Sequence, residues 1–372
     1  MNVAGSQSAL ADAAPASSRR KRCLVVRPRK PEAAHGGDEI IYRRSIEYLS
    51  RTMDVTICEL EPITKSRQIL ELIAGTPPEM TKFYSSANKE RVSAAISKLR
   101  PDVACFFNEV TFPCLTSAKA AGINSVLVEQ NVHSLIASSD SDWKAKLFWP
   151  LAIRFEKKYY GDESAELVCI SRCDLEGLKR AGIVRKRVWI APPGCPPDIV
   201  LADSAELASE LVLTGSYAWW RKRRDLKGFA KGARLPFKMH VFDGLAREIL
   251  GLADESPDVD WSAKIRFGLV TDRFVGGFKL KALEYVAKNC IVLTACDISP
   301  EFQGLPHADL FVRIISDKDN LLHVIEEIRR EPDVVRKFRE FKSACLAQYA
   351  WERCLAPLGE AVQASLSAAR PA

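Results

Sequence analysis

Short apolar runs recur along the first half of the chain, and segments with helical spacing lie between them. The predicted strands cover residues 23–26, 55–58, 103–107, 125–129, 167–170 and 187–191. The helices between them include residues 89–99, 114–121, 143–160 and 172–181. Continuous apolar strands separated by helices are typical of parallel sheets with right-handed crossovers. The pattern therefore predicts a doubly wound α/β domain.

A proline cluster divides the chain near its middle. Residues 191–198 read Ala-Pro-Pro-Gly-Cys-Pro-Pro-Asp. Because proline fixes φ and lacks an amide donor, this segment cannot continue a helix or a central strand, and we place a domain hinge here. Strands are then predicted again at residues 211–214, 237–242, 264–270, 291–294 and 310–314, with helices at 225–231, 279–288, 319–330 and 332–348. The second half therefore predicts a second Rossmann-like domain.

The predicted organisation has four parts. Residues 1–21 form a disordered leader that is rich in Ala and Ser and ends in a basic cluster. Residues 22–195 form the first domain, residues 199–348 the second, and residues 349–372 a last helix and tail. Two such domains joined by a hinge leave a cleft between the carboxyl edges of their sheets. Ligands of doubly wound domains bind at these edges.

Composition narrows the possible functions only slightly. The 372 residues are 47% apolar and 27% charged, as in ordinary folded proteins. No apolar run approaches the roughly 18 residues of a membrane-spanning helix, and no signal peptide is evident, so we expect a cytoplasmic protein. The formal net charge of +7 suits an anionic ligand, an anionic membrane surface or nucleic acid, and charge alone does not choose among them.

The eleven cysteines form neither a disulfide framework nor a metal-binding pattern. They are scattered through apolar segments, and no Cys-x-x-Cys pair occurs. Cys169 with Cys173, and Cys290 with Cys296, lack a histidine that would complete a zinc site. We therefore predict reduced, buried thiols and no structural metal.

The most informative segment covers residues 274–285, Phe-Val-Gly-Gly-Phe-Lys-Leu-Lys-Ala-Leu-Glu-Tyr. Paired glycines between a strand and a helix let the backbone approach a ligand, and a helix N-terminus favours phosphate. Lys281, Glu284 and Lys288 share one helical face. The lysine could neutralise a diphosphate, and the glutamate could accept hydrogen bonds from ribose hydroxyls. The alternative is a glycine turn before an amphipathic helix whose polar stripe is solvated.

Residues 276–294, with this glycine pair, a Lys-x-x-Glu helix and a strand, resemble the nucleotide-sugar-binding motif of GT-B glycosyltransferases of family 4. Gly36-Gly37 and residues 168–193 and 213–217 agree in order and spacing, and the resemblance extends over residues 22–355. It implies a GT-B fold and transfer of a sugar from a nucleotide diphosphate to a hydroxyl acceptor, with no further cofactor. The implied donor-binding residues are Gly37, Ser216, Lys222, Gly276, Gly277, Phe278, Lys281 and Glu284.

The sequence departs from the family pattern at two positions. Family 4 members often carry a glutamate at the position of Gly276 and an arginine at that of Ser216. Lys222, which Arg223 and Arg224 follow, is therefore predicted to help hold the diphosphate without a metal ion. The missing carboxylate leaves the transferred sugar and the stereochemistry open. A catalytically silent GT-B binding protein and a GT-B nucleotide-sugar epimerase remain alternatives.

His133 is the candidate catalytic residue of the first domain. It follows the strand at residues 125–129, at the sheet edge that faces the cleft. There it could contact the donor sugar or share a proton with the acceptor, because an imidazole titrates near neutral pH. A plain surface-loop histidine is the alternative, and Glu129 is the competing carboxylate.

Three segments containing tryptophan suggest possible partners and packing. Residues 219–224, Trp-Trp-Arg-Lys-Arg-Arg, could stack on bases, but no nucleic-acid-binding signature accompanies them, so we expect no nucleic acid. Residues 143–150 suit either a core helix or peripheral contact with an anionic membrane, where a saccharide or lipid-linked acceptor of bacterial polysaccharide synthesis would be met. The resemblance implies that the last helix crosses back to the first domain, which would bury Trp351.

Overall fold

The computed structural model describes residues 19–29, 37–140, 142–231, 236–253 and 257–368. Residues 1–18 of the predicted leader, Gly36 and residues 369–372 of the tail lie outside the described residues. Lys21, which was assigned to the leader, begins the first strand instead. It pairs with Met53 in the neighbouring strand, so the first strand starts two residues, and the first domain one residue, earlier than predicted.

The first domain contains one fully parallel sheet. Its strands are β1 (Lys21–Pro28), β2 (Met53–Leu60), β3 (Val103–Phe107), β4 (Asn124–Glu129), β5 (Ala165–Cys169) and β6 (Trp189–Ile190). They lie in the order β2-β1-β3-β4-β5-β6. The central strands are continuous apolar runs because helices cover both faces of the sheet. The chain leaves β1 and β3 toward opposite sides, so their carboxyl ends border a crevice.

Seven helices of the first domain lie among the described residues. They are α1 (Gly37–Leu49), α2 (Lys65–Ile73), α3 (Ser86–Leu99), α4 (Leu115–Ala120), α5 (His133–Ser139), α6 (Trp143–Tyr160) and α7 (Arg172–Arg180). Short 3₁₀ segments cover Thr81–Phe83 and Glu109–Cys114. Helix α2 was not predicted. None of its residues is buried, and Ile69, Leu70 and Ile73 are exposed, so no core stabilises it.

The second domain contains a second fully parallel sheet. Its strands are β7 (Glu206–Leu213), β8 (Lys238–Val241), β9 (Lys264–Val270), β10 (Cys290–Thr294) and β11 (Val312–Ile314), in the order β11-β10-β9-β7-β8. Its helices are α8 (Trp220–Ala230), α9 (Gly244–Leu250), α10 (Leu280–Ala287), α11 (Ser299–Phe302), α12 (Ala308–Phe311) and α13 (Lys318–Arg330). Here the crevice lies between the ends of β7 and β9.

The last two helices join the domains. Helix α14 (Val334–Gln348) packs on the second domain, whereas α15 (Trp351–Ser367) returns to the first. Four apolar residues of α15 belong to the core on one face of the first sheet: Leu355, Leu358, Ala361 and Val362. The side-chain amide of Asn124 donates to the Ser365 carbonyl at 2.7 Å. The predicted crossing helix, and with it the predicted two-domain α/β architecture, is confirmed.

Two expectations from composition can be compared with the structure. The eleven cysteines carry free thiols, and all except Cys173 are buried. Across the part of the chain that the structure describes, no helix is long and apolar enough to cross a membrane.

Candidate functional site

Three lysines of the second domain converge on the buried carboxylate of Asp272. Asp272 follows β9, at the crevice between β7 and β9. The Lys279 ammonium lies 3.7 Å from the Asp272 carboxylate, and the Lys281 ammonium lies 3.1 Å from the Tyr217 hydroxyl. Burial alone would raise the pKa of Asp272. The positive charges of the three lysines, Lys222, Lys281 and Lys279, instead hold this pKa below its ordinary value. The lysines thus form a basic centre around one carboxylate.

Burial and repulsion between the lysines act against the charge of Lys222 and Lys281. Burial lowers the pKa of Lys222, and the neighbouring Lys281 and Lys279 lower it further, against the attraction of Asp272. Burial also lowers the pKa of Lys281. A desolvated ammonium is stabilised by an entering anion, because the anion replaces the lost hydration with a charge-assisted contact. The arrangement therefore suits a ligand with several negative charges.

Gly215 makes room for one of these lysines. It follows β7 with φ of +79°, and a Cβ atom there would lie 2.5 Å from Cε of Lys281. A side chain at this position would displace the lysine from the crevice. Lys281 itself is only 8% exposed, so the predicted alternative of a fully solvated Lys-Glu-Lys stripe is wrong for this residue.

The other predicted donor-binding residues are placed differently. Glu284 is partly buried and binds the ammonium of Lys288 at 2.7 Å, one turn along α10. Ser216 is exposed in the loop after β7. Phe278 is buried in the core of the second domain, with its ring centroid 5.5 Å from that of Tyr349. The structure thus gives Phe278 a packing role, whereas Glu284 and Ser216 remain accessible.

The predicted glycine pair packs against the first domain. A Cβ atom at Gly276 would lie 2.2 Å from Cγ1 of Ile136, and one at Gly277 would lie 2.7 Å from the Gln130 carbonyl. Gly277 also has φ of +62°, which favours glycine. Ile136 fills the space into which a glutamate at position 276 would project. The sequence predicted close approach to a ligand, and here the close approach is to the other domain.

Gly37 shows the same close approach from the opposite side. It begins α1 in the first domain, and a Cβ atom there would lie 2.5 Å from Cδ1 of Leu280, at the start of α10. The N-termini of these two helices therefore meet across the cleft. Gly37, Lys222 and Lys281 are brought to one region, since Asp38 contributes to the electrostatic environment of Lys222.

The arginines beside Lys222 face the first domain instead of the crevice. Arg221 is buried and donates to Asp140 at 2.9 Å and to Glu79 at 3.1 Å. Arg224 lies 2.6 Å from the same Asp140 carboxylate. Because residues one position apart point in different directions on a helix, α8 separates Lys222 from Arg221. The guanidinium of Arg221 also lies over the rings of both preceding tryptophans, Trp219 and Trp220.

His133 is a buried, paired histidine, so the alternative of a surface-loop histidine is wrong. Its Nε2 atom lies 2.8 Å from the carboxylate of Glu109. Burial alone would lower its pKa, but the hydrogen bond and charge of Glu109, with Glu79, raise the pKa to about 9. The imidazole is therefore mainly protonated at neutral pH and can donate a hydrogen bond. It can accept a proton only after losing one.

Glu129 does not compete with His133 for a role at the cleft. It is fully buried, and the Cys169 thiol lies beside its carboxylate. Burial, together with the nearby carboxylates of Asp174 and Glu109, raises its pKa well above the ordinary range. Its surroundings therefore favour the protonated form of Glu129, which is enclosed in the first domain.

Sequence reasoning missed several polar residues at the facing edges. Asp174 accepts hydrogen bonds from the backbone amides of Val132 and Gly277, and Glu301 accepts one from the Cys173 amide. Burial raises the pKa of Asp174 to about 6, against the lowering effect of these amides and the Ser171 hydroxyl. The available sequence signal was the Ser-x-x-Asp spacing that starts α7 after a buried strand.

Known proteins resemble this chain in structure and not in sequence. No protein-family model matches it, and no curated protein matches it by sequence. Sucrose-phosphate synthase from Thermosynechococcus elongatus aligns with a TM-score of 0.68 at 14% identity, over 94% of this chain and 100% of that one. A UDP-glucosyltransferase from Polygonum tinctorium aligns with a TM-score of 0.51 at 12% identity, over 95% and 100% of the two chains. TcCGT1, solved in complex with UDP, aligns with a TM-score of 0.50 at 10% identity, over 93% and 98%.

These similarities extend over 93–95% of the chain. The chain has the GT-B fold, as the sequence predicted. At this level of identity the likeness concerns the fold alone, and a place in family 4 stays a prediction.

Proposed function

We propose that this protein is a glycosyltransferase that moves a sugar from a nucleotide diphosphate donor to a hydroxyl acceptor. The observation that carries the proposal is the convergence of Lys222, Lys279 and Lys281 on Asp272 at the crevice of the second sheet. A buried basic centre at this edge suits a diphosphate. The fold adds support, since GT-B relatives include a UDP-glucosyltransferase and a protein solved with UDP.

The two domains take different parts in the proposed reaction. The second domain binds the nucleotide, with the diphosphate at Lys222 and Lys281 and the ribose near Glu284. The first domain holds the acceptor, which we propose is a growing bacterial polysaccharide or another glycoconjugate. Glu109 holds Nε2 of His133, and the second N–H of the protonated imidazole, at Nδ1, donates a hydrogen bond to the transferred sugar in the proposed reaction. The lysines stabilise the leaving diphosphate through charges that are already in place before the reaction.

A panel of nucleotide sugars tests this function directly. We expect at least one UDP-, GDP- or ADP-linked sugar to raise the unfolding temperature of the purified protein, because a ligand at a hundred times its Kd stabilises the folded state by about 2.7 kcal/mol. The stabilising donor should then release its nucleoside diphosphate when saccharide acceptors are added. Binding without transfer would favour the silent binding protein, and conversion of the free donor to its epimer would favour the epimerase. If no nucleotide sugar of the panel stabilises the protein, the transferase, the silent binding protein and the epimerase are all contradicted.

Transfer should proceed without a divalent cation. Asp-x-Asp spacings do occur in the chain, at residues 140–142, 258–260 and 317–319. The carboxylate of Asp140 is bound by Arg221 and Arg224, and that of Asp317 caps α13. We therefore expect the lysines to supply the positive charge, and the transfer rate to be unchanged by EDTA. Inactivation by EDTA that magnesium reverses would contradict this mechanism.

We also propose that the first domain docks on an anionic membrane surface through α6. Trp143 and Leu147 lie one turn apart and are 66% and 62% exposed, and Lys146 beside them is exposed as well. Binding to vesicles that contain phosphatidylglycerol should weaken as salt rises to physiological strength, where the Debye length is about 8 Å. Replacing Trp143 and Leu147 by serine should weaken it further. Binding that changes with neither salt nor these residues would remove the membrane proposal and leave the transferase proposal standing.

A further inference from the structure

One buried carboxylate connects the two loops that face each other across the cleft. Asp174 lies in the first turn of α7 and is fully buried. Its Oδ1 atom accepts hydrogen bonds from the backbone amide of Val132, at 3.3 Å, and from that of Gly277, at 3.0 Å. Val132 belongs to the first domain and Gly277 to the second. A single oxygen atom thus accepts a hydrogen bond from each of the two loops.

The start of α7 holds this carboxylate in place. Ser171 caps the helix and accepts a hydrogen bond from the Asp174 amide at 2.9 Å, while its hydroxyl donates to Oδ2 of Asp174. A side chain held at both its backbone and its carboxylate has little rotational freedom. Oδ1 therefore presents a rigid acceptor to both loops.

The two loops carry the groups that the proposed reaction needs. Val132 directly precedes His133, and Gly277 belongs to the glycine loop before the helix of Lys281. We propose that Asp174 is a positioning residue, which on domain closure aligns the His133 loop with the donor-binding loop. This inference rests on the proposed transferase function.

Neighbouring contacts show that this part of the cleft is a built interface. The Ser139 hydroxyl accepts a hydrogen bond from the Val275 amide at 3.0 Å, and Glu301 of the second domain accepts one from the Cys173 amide, also at 3.0 Å. Among these contacts, the carboxylate of Asp174 is the one that contacts both the glycine loop and the residue before His133. Its loss should therefore change the alignment of the loops more than it changes the contact between the domains.

The test compares Asp174→Asn with Glu176→Gln, a matched change on the exposed side of α7 where Glu176 binds Lys179. We expect Asp174→Asn to lower kcat about ten- to a hundredfold, since a misplacement of about 1 Å can cost a hundredfold in rate. The Kd of the donor, measured by titration calorimetry, should change less than about threefold, and Glu176→Gln should match the wild type. Asp174→Glu, which retains a carboxylate, should recover part of kcat.

Each other outcome has a distinct meaning. An unchanged kcat in Asp174→Asn would overturn the positioning role while leaving the transferase function standing. A tighter donor Kd with unchanged kcat would instead make Asp174 an internal competitor for the Gly277 amide, which also contradicts the proposal. If Asp174→Asn does not fold, as judged by circular dichroism, Asp174→Glu takes its place in the test. A kcat below that of the wild type would then support the positioning role, and an unchanged kcat would overturn it. Absence of transfer by the wild type would contradict the proposed function, and the positioning role with it.

Discussion

Replacement of Lys281 by methionine is expected to weaken binding of the nucleotide sugar about ten- to a hundredfold. The lysine ammonium is buried beside Asp272 and Lys279, and a hydrogen bond to a charged group contributes about 1.5–3 kcal/mol. Methionine keeps an unbranched side chain that reaches about as far as Cε of the lysine, so the packing against Gly215 is kept while the ammonium is removed. Isothermal titration with the donor identified from the panel measures the effect.

An exposed lysine provides the control for this measurement. Lys227 lies on α8 and is exposed, so Lys227→Met should bind the donor as the wild type does. Glu284→Ala should also weaken binding of the donor, because hydrogen bonds from the ribose to the Glu284 carboxylate are lost. In the free protein this carboxylate is paired with Lys288. Unchanged affinity in Lys281→Met and Glu284→Ala would contradict the assignment of the site to α10.

Replacement of Arg221 by methionine should lower the free energy of unfolding by about 3–5 kcal/mol. The Arg221 guanidinium, 5% exposed, lies between Asp140 and Glu79 of the first domain. Its loss leaves Glu79 without its buried arginine and Asp140 with Arg224 alone, and the two domains lose an ion-pair contact near the cleft. Urea unfolding measures the stability, and the radius of gyration from X-ray scattering should increase because the cleft opens more easily.

The partners of Arg221 allow a stricter test. In a double-mutant cycle, Glu79→Gln should restore part of the stability lost in Arg221→Met, since a neutral amide needs no counter-charge. Arg329→Met, which removes a surface ion pair with Glu326, should change stability by less than about 1 kcal/mol. An Arg221→Met variant as stable and as compact as the wild type would show that the bridge does not hold the domains together.

The architecture could be read from the sequence because its signals are local and repeated. A strand covered on both faces must be continuously apolar, and the helices that cover it carry apolar residues at helical spacing. The hinge was visible because proline excludes regular structure at residues 191–198. Helices α2, α5, α9, α11 and α12 were missed. The strand predicted at residues 310–314 begins only at Val312, and α8 begins at Trp220 and not at Asp225. In α2 the apolar residues face no core, so spacing carried no information.

The candidate site was likewise predicted only in part from the sequence. The sequence alone predicted that Lys281 and Lys222 belong to a phosphate-binding region and that His133 lies at the sheet edge facing the cleft. It also predicted that the backbone at the Gly276-Gly277 pair closely approaches another group. Only the tertiary structure decided what each group meets: Lys222 faces Asp272, Arg221 faces Asp140, and Gly276 contacts Ile136.

The physical reason is the distance along the chain between the contacting residues. Helical and strand periodicity determine which face of an element a side chain occupies, and both can be read within ten or so residues. Asp174 and Gly277 are 103 residues apart, and they meet only because two separately folded sheets bring their carboxyl edges together. The sequence by itself therefore determined most of the strands and helices and the sheet edges that face the cleft, whereas the packing of one domain on the other decided which residues meet there.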